Sequence, residues 1–147
     1  YLILRPSNPF GRFQDIYGKQ GIISVILGKF IKEQSIDIWG DGNIIRDYIP
    51  IDYLSDIIVR LSKLDIKNEI FNIGCGNGNS INDIIRISEK VLNKKLKINY
   101  LKERNVDTKK LVLDIEKLKS TITIQEVDLE ESISDYFNNV IKELNLK

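Results

Sequence analysis

Amphipathic helical segments alternate with short apolar runs along this chain, and that order limits the fold more than any other feature of the sequence. Apolar residues recur every three or four positions in the segments 21–34, 52–64, 80–92 and 128–144. Short apolar or alternating runs occupy 2–4, 35–39, 44–49, 70–73 and 96–101. The first pattern predicts helices and the second predicts strands. A chain that alternates between them is expected to form an α/β fold.

Turn-forming and capping residues mark the ends of these elements. We expect turns at 7–11, 40–43 and 74–78, with residues 44–49 returning as a strand after the second turn. The residues expected to cap the helices that follow them are Asp52, Ser80 and Asp114, and the last helix is expected to start near Asp128. Asp83 stands three residues after Ser80, which is the spacing of a capping box.

Composition and charge exclude several classes of protein. The chain has 147 residues, of which 42% are hydrophobic and 29% charged, and this suits one globular domain with a core. Its 22 basic and 21 acidic side chains leave a net charge of +1, so we expect no nucleic-acid partner. Every apolar run is far shorter than the ~20 residues that cross a bilayer, so we expect no membrane partner.

The absence of histidine restricts the chemistry further. With no His and a single Cys, the chain lacks the best zinc ligands and any Ser-His-Asp or Cys-His catalytic set. We therefore expect no metal site, and we expect Cys75 to be a small buried residue in a reducing, cytoplasmic protein. The chain also has no Met and opens on a strand, so we expect it to be a piece of a longer protein.

A glycine-rich turn, Gly74-Cys75-Gly76-Asn77-Gly78, follows one predicted strand and precedes a predicted helix. Loops that hold pyrophosphate occupy that position in dinucleotide-binding folds. The spacing here is GxGxG rather than GxGxxG, and the third glycine position of the usual motif is Asn79. A structural turn is therefore the favoured interpretation.

Two arginines are candidates for binding a phosphate group. Arg46 could clamp a diphosphate with its planar guanidinium, or form a surface ion pair with Asp47 or Asp52. Arg104 could bind an anion while Asp107 accepts a hydrogen bond from a sugar hydroxyl, or both could lie in a solvated loop. The residues alone favour the structural explanation in each case.

Two further positions could contact a ligand. Asn8 lies just beyond a strand end, where open α/β sheets bind ligands, although a turn residue is an equally good interpretation. Trp39 is the only tryptophan and could stack on a flat base. Taken by itself, it is more simply interpreted as a core residue.

In their order along the chain, these segments resemble the extended short-chain dehydrogenase/reductases, and among them the NAD-dependent epimerase/dehydratase family, closest to its UDP-glucose 4-epimerase group. Residues 4–11 (LRPSNPFG) resemble the RPxNxxG segment of that family, and residues 36–42 (IDIWGDG) with 46–52 (RDYIPID) resemble its GDGxxxRDYIxxxD block. The remaining matches are FNIGCG at 71–76, RNVD at 104–107 and DLEESI at 128–133.

The resemblance implies a role for individual residues. Arg46 and Arg104 would neutralise a diphosphate, Asp107 would bond a sugar hydroxyl, and Trp39 would stack on uracil. The full set of implied substrate-binding residues is Asn8, Gly21, Ile22, Asp37, Ile38, Trp39, Arg46, Arg104 and Asp107. Ser7 and Pro9 would lie beside the nicotinamide of NAD.

The resemblance also implies a domain organisation. Residues 1–147 would be the C-terminal, substrate-binding half of the parent enzyme, with 1–11 and 70–78 belonging to its parallel Rossmann sheet and turns. The GxxGxxG loop that binds NAD and the catalytic YxxxK pair have no counterpart in this sequence. No catalytic residue is therefore expected among these positions, the N-terminal NAD-binding domain would be absent, and the chain alone would be inactive.

The parent would be a cytoplasmic homodimer that binds a UDP-sugar and NAD. It would interconvert UDP-glucose and UDP-galactose, or their N-acetyl forms, by oxidation and reduction at C4. A sister nucleotide-sugar dehydratase, decarboxylase or reductase would share most of this half. A non-catalytic nucleotide-sugar binding module, or a truncated remnant, is the alternative from another class.

Overall fold

A computed structural model describes residues 1–103 and 108–145, which form nine strands and five helices. The predicted site residues Arg104 and Asp107 lie outside the described residues. The strands are β1 (Leu2–Pro6), β2 (Asn8–Phe10), β3 (Ile36–Trp39), β4 (Ile45–Arg46), β5 (Tyr48–Pro50), β6 (Glu69–Ile73), β7 (Asn79–Ser80), β8 (Ile98–Leu101) and β9 (Lys110–Leu111). The helices are α1 (Ile22–Ile31), α2 (Ile51–Ser62), α3 (Ile81–Leu92), α4 (Glu116–Thr121) and α5 (Leu129–Glu143). The predicted α/β class is confirmed.

The strands of the described part pair in four small sheets. Parallel pairs are formed by β1 with β6, by β2 with β5 and by β3 with β8. In the fourth sheet, β4 lies between antiparallel β7 and parallel β9. Each pairing joins segments that are far apart in sequence, and parallel neighbours require such crossovers. Long-range pairing therefore brings distant motifs together.

Two hydrophobic clusters form the core. The first is built from α1, α3, α5 and β3, and its fully buried residues include Ile23, Ile26, Leu27, Ile84, Ile133 and Phe137. The second packs α2 and α4 against the β1–β6 pair and includes Ile57, Leu61, Phe71, Ile73 and Leu118. Strand β5 joins them, because Tyr48 belongs to the first cluster and Ile49 to the second. Successive strand residues face opposite sides, so three residues suffice to connect both clusters.

The predicted capping box at the start of α3 is present. The Ser80 hydroxyl accepts a hydrogen bond from the Asp83 backbone N–H at 3.0 Å, and the Asp83 carboxylate accepts one from the Ser80 backbone N–H at 2.8 Å. At the start of α5, the Asp128 carboxylate accepts from the Glu131 backbone N–H at 3.1 Å. These side chains satisfy N–H groups that a helix leaves without partners.

Two of the predicted helix caps are wrong. Helix α2 begins at Ile51 with Pro50 as its N-cap, so Asp52 lies in the first turn. The Asp52 charge is still favourable there, because a helix N-terminus is positive. Helix α4 begins at Glu116 with Ile115 as its N-cap. Asp114 lies one residue earlier, and its carboxylate accepts the Glu116 backbone N–H at 2.9 Å.

Two local predictions also differ from the structure. Residues 8–10 were expected in a turn, but they form β2, which pairs in parallel with β5. Residues 44–49 were expected to return as one strand, but they divide into β4 and β5 around Asp47. The partner of β3 is then β8, from much later in the chain. Turn composition indicates where the chain bends and leaves open which strand it pairs with.

Helices of the described residues are too short or too polar to cross a bilayer.

Candidate functional site

The ends of several elements converge on one cavity of about 300 Å³. Its walls come from β2, the first turn of α1, the end of β3, and β4 and β5. The lining residues are Asn8, Pro9, Phe10, Gly21, Ile22, Ile23, Asp37, Ile38, Trp39, Ile44, Arg46, Tyr48 and Ile81. The structure thus gathers eight of the predicted site residues: Asn8, Pro9, Gly21, Ile22, Asp37, Ile38, Trp39 and Arg46.

Asn8 is held by the backbone of Asp47. Its side-chain Nδ2 donates to the Asp47 carbonyl oxygen at 2.8 Å, and its backbone N–H donates to the same oxygen at 3.0 Å. Asn8 is therefore a strand residue with a fixed amide rather than a simple turn residue. Its Oδ1 atom accepts no hydrogen bond from the described residues, so it is available to a donor in the cavity.

Arg46 is half-buried on β4, and its guanidinium is anchored on one side. Nη1 donates to the carbonyl oxygens of Ile45 at 2.8 Å and Thr108 at 2.7 Å. Among the described residues, Nε and Nη2 have no acceptor, which leaves the other side of the planar group for an anion. The expected surface ion pair with Asp47 or Asp52 is not formed.

Asp47 is fully buried and accepts backbone hydrogen bonds instead of pairing with an arginine. Its carboxylate receives the N–H groups of Cys75 at 3.0 Å, Gly76 at 3.1 Å and Leu113 at 3.4 Å. A Cβ atom at Gly74 would overlap the same carboxylate, so glycine is required at that position. The amides of the glycine-rich turn therefore bind an anion of their own chain, and the turn is structural, as preferred from its spacing.

The exposed face of β3 forms another wall of the cavity. Ile36 and Ile38 are buried on one side of the strand, whereas Asp37 and Trp39 are exposed on the other. Trp39 is 41% exposed, so the core interpretation of this residue is wrong. The Asp37 carboxylate accepts a hydrogen bond from Asn99 Nδ2 at 3.1 Å. This wall offers an aromatic surface beside a carboxylate.

The first turn of α1 completes the cavity. Gly21 is the N-cap with φ +80°, and it has no side chain to cap the helix. Ile22 and Ile23, whose backbone N–H groups belong to this first turn, line the cavity. A helix N-terminus favours an oxygen atom that accepts hydrogen bonds.

Ser7 does not line the cavity and lies at the junction between β1 and β2. Its backbone N–H donates to the Ile73 carbonyl at 2.8 Å. Its hydroxyl is buried and has no hydrogen-bond partner among the described residues. A buried hydroxyl without a partner is costly, and because this one is enclosed by the chain's own residues it offers no open contact to a ligand in the cavity.

Five lining residues were missed by sequence reasoning: Phe10, Ile23, Ile44, Tyr48 and Ile81. Burial raises the pKa of Tyr48 to about 12, which keeps its phenol protonated and able to donate a hydrogen bond. A signal for Tyr48 existed, because it stands two positions after Arg46 in an extended segment and such residues share a face. The apolar residues carry no comparable signal.

A second groove of about 330 Å³ lies between α2 and α5. Its lining includes the carboxylates of Asp52, Glu126, Asp128, Glu131 and Asp135, with Arg12 as its basic residue. The negative charge of this groove disfavours the binding of a phosphate group. No group of three or more carboxylate or thiol side chains within 1–103 and 108–145 is arranged to hold a metal ion.

Comparison with known protein families identifies the chain. The NAD dependent epimerase/dehydratase family matches residues 1–74. The chain belongs to this family. A protein of Methanocaldococcus jannaschii, provisionally assigned as a UDP-glucose 4-epimerase, is 38% identical over 94% of this chain and 45% of its own length. A dTDP-4-dehydro-6-deoxyglucose reductase of Escherichia coli is 36% identical over 78% of this chain and 36% of its own length.

A solved structure of this epimerase/dehydratase fold matches nearly the whole chain. The crystal structure of the UDP-glucose 4-epimerase of Thermotoga maritima with UDP-glucose aligns with a TM-score of 0.89 and 29% identity. The alignment covers 98% of this chain and 47% of that protein. The chain thus spans less than half the length of the relatives that it matches.

Proposed function

We propose that this chain is the nucleotide-sugar-binding half of an NAD-dependent 4-epimerase that interconverts UDP-glucose and UDP-galactose or their N-acetyl forms. The observation that carries the proposal is the convergence of Asn8, Gly21, Trp39 and Arg46 on one cavity. Two of the matched relatives carry the name UDP-glucose 4-epimerase, one of them provisionally, and the other was solved with UDP-glucose.

The polarity of the cavity supports a nucleoside diphosphate as its ligand. The outward N–H groups of Arg46 suit a diphosphate, which carries two negative groups side by side. The ring of Trp39 suits a flat base, and Asp37 beside it can accept from a ribose hydroxyl. The Asn8 amide and the Tyr48 phenol, which line the same cavity, would bond the phosphates or the hexose. Arg104 and Asp107 are assigned to the diphosphate and a sugar hydroxyl.

Ser7 and Pro9 are the residues that would lie against NAD. Pro9 lines the cavity, and Ser7 precedes the cavity-lining residue Asn8 in the chain, which supports this assignment. When bound, NAD would accept a hydride from C4 of the sugar and return it. The residues of this chain would hold the nucleotide part, and the binding energy from that remote part would position the sugar for the reaction. The proposal assigns no catalytic residue to these positions.

The NAD-binding part is assigned to polypeptide outside these 147 residues. Within the described part, β1 pairs with β6 alone, and Ile3 is 44% exposed on the side away from the second hydrophobic cluster. Parallel sheets are normally covered on both faces, and a two-stranded one is marginal alone. The matched relatives have more than half of their length beyond the aligned region. That additional polypeptide would cover the open side of β1.

A reductase acting on a nucleotide-linked 4-keto sugar is the second candidate. The observation that favours it is the 36% identity with the dTDP-4-dehydro-6-deoxyglucose reductase of Escherichia coli. Such an enzyme would need the same nucleotide pocket but would prefer a thymine base. The relative affinity for UDP and dTDP therefore separates the two candidates.

Calorimetric titration of the chain with UDP tests the proposal. We expect Arg46→Ala to weaken binding by about 1.5–3 kcal/mol, the range for a hydrogen bond to a charged group. Arg12→Ala is the matched control, because Arg12 lines the acidic groove instead of the cavity. Equal binding by the wild type and Arg46→Ala would contradict the assigned role of Arg46. A folded wild type that does not bind UDP would contradict a nucleotide site in this half, and tighter binding of dTDP would favour the reductase.

A further inference from the structure

A buried polar chain connects α5 to the loop before α1. Ser24 is fully buried on α1, and Tyr136 is 5% exposed on α5. Their hydroxyl oxygens are 2.9 Å apart, and the Ser24 hydroxyl also donates to Gln14 Oε1 in the loop. Tyr136 belongs to the first hydrophobic cluster, whereas Gln14 at the other end is half-buried. Buried hydroxyl groups are expensive to leave without partners, and here each hydroxyl is satisfied by its neighbour.

The donors and acceptors have one consistent order. A serine hydroxyl carries one hydrogen, and Ser24 uses it toward Gln14 Oε1. Tyr136 must then donate to Ser24, which is possible because burial raises the pKa of the phenol and keeps it protonated. The direction of donation therefore runs from α5, through α1, to the loop.

Small residues on α1 let the loop approach closely. Gly21, Ser24 and Gly28 lie on one face of the helix, at spacings of three and four. The Gln14 amide fills the space that a Cβ atom would need at Gly21. The Ile16 carbonyl does the same at Gly28. Residues 14–16 are thus pressed against the helix, with Gln14 directly behind the backbone at its first turn.

We infer that Gln14 and Ser24 are positioning residues for the cavity: they fix the first turn of α1, whose residues Gly21 and Ile22 form one wall of it. This inference rests on the proposed nucleotide site. Neither side chain lines the cavity, so each acts through the helix backbone. Without the Gln14 amide behind it, the Gly21 N-cap would have to be ordered when a ligand binds. That ordering costs affinity even when no direct contact is lost.

Titration of three variants of the full chain with UDP tests this inference. We expect Gln14→Ala to weaken UDP binding about three- to tenfold, the range for ordering one side chain or loop position on binding. Gln14→Glu keeps an oxygen acceptor and the same length, so it should restore most of the affinity. Tyr136→Phe is the control, because it removes a buried hydroxyl but leaves the Ser24–Gln14 bond intact. It should lower the urea midpoint while UDP affinity stays within about twofold.

The outcomes separate this inference from the proposed function. If the wild type binds UDP and Gln14→Ala binds it equally well, the inference is overturned and the nucleotide site stands. If Tyr136→Phe loses as much affinity as Gln14→Ala, the effect is one of general stability, and the inference is also overturned. A folded wild type without UDP binding would overturn the proposed function itself. Loss in Gln14→Ala, with recovery in Gln14→Glu, supports the inference.

Discussion

The buried carboxylate of Asp47 should be one of the most sensitive positions for stability in this fold. It is 0% exposed and accepts three backbone N–H groups, from the glycine-rich turn and from Leu113. Asp47→Ala would remove the acceptor of these partly buried hydrogen bonds. Hydrogen bonds to charged groups contribute about 1.5–3 kcal/mol each. Counting the two shorter ones fully and the 3.4 Å bond to Leu113 very little, we expect a loss of roughly 3–6 kcal/mol.

Urea denaturation followed by circular dichroism measures this loss. Since small domains have a free energy of unfolding of about 5–15 kcal/mol, Asp47→Ala should lower the midpoint by a large fraction of its wild-type value. Asp47→Asn keeps one oxygen acceptor, so its urea midpoint should lie between those of the wild type and Asp47→Ala. Asp52→Ala is a matched control, because Asp52 is an exposed residue in the first turn of α2. We expect that control to change stability by about 0.5 kcal/mol.

Gly74→Ala tests the same contact from its other side. The new methyl group would overlap the Asp47 carboxylate and force either the turn or the carboxylate to move. An Asp47→Ala variant within about 0.5 kcal/mol of the wild type, with an unchanged m-value, would refute the reasoning that this carboxylate holds the turn. So would a Gly74→Ala variant with wild-type stability.

Two further predictions concern ionisable groups. Hydrogen bonds from Ser80 hold the pKa of Asp83 below its usual 3.8, so its carboxylate stabilises the fold above that pH and the contribution is lost as the pH falls through the lowered pKa. The stability difference between wild type and Asp83→Asn, from urea midpoints, should therefore be present at pH 6 and shrink below about pH 4; a constant difference would contradict it. Burial, with the nearby Asp47 charge, raises the pKa of Cys75 to about 12, so iodoacetamide at pH 8 should label the native thiol far more slowly than the urea-unfolded one. Equal rates would contradict that.

Helices could be predicted from this sequence better than strands, and the reason is physical. A helix is specified by residues within a few positions of one another, so the stripe through Ile81, Ile84, Ile85 and Ser88 and the Ser80 cap predicted α3 closely. Strands β4, β7 and β9 have two residues each, and their register partners lie 33 to 65 positions away. No local periodicity can encode such pairings.

Most of the cavity could be predicted only through the family resemblance. Composition and spacing favoured a surface ion pair for Arg46 and a core position for Trp39, and the structure shows neither. Whether a polar residue faces a cavity or solvent depends on strands that meet across long sequence distances. Tyr48 illustrates this, because its pairing with Asn8 across β5 and β2 brings it to the cavity.

The side chains of the consecutive residues Arg46 and Asp47 point in different directions. Arg46 lines the cavity, and Asp47 binds the turn at the end of the β1–β6 pair, so this dipeptide connects the cavity to that sheet. The Asp47 carboxylate accepts hydrogen bonds from the turn that follows β6. The Asp47 backbone carbonyl accepts hydrogen bonds from the backbone N–H and the side-chain Nδ2 of Asn8. The positions of Arg46 and of the Asn8 side-chain amide are therefore both fixed relative to one buried residue, Asp47. A shift of β6 would move Asp47, and with it both polar residues, so their relative spacing would be preserved. The distance between Asn8 and Arg46 is therefore set by backbone pairing, which is stiffer than any contact between the two side chains.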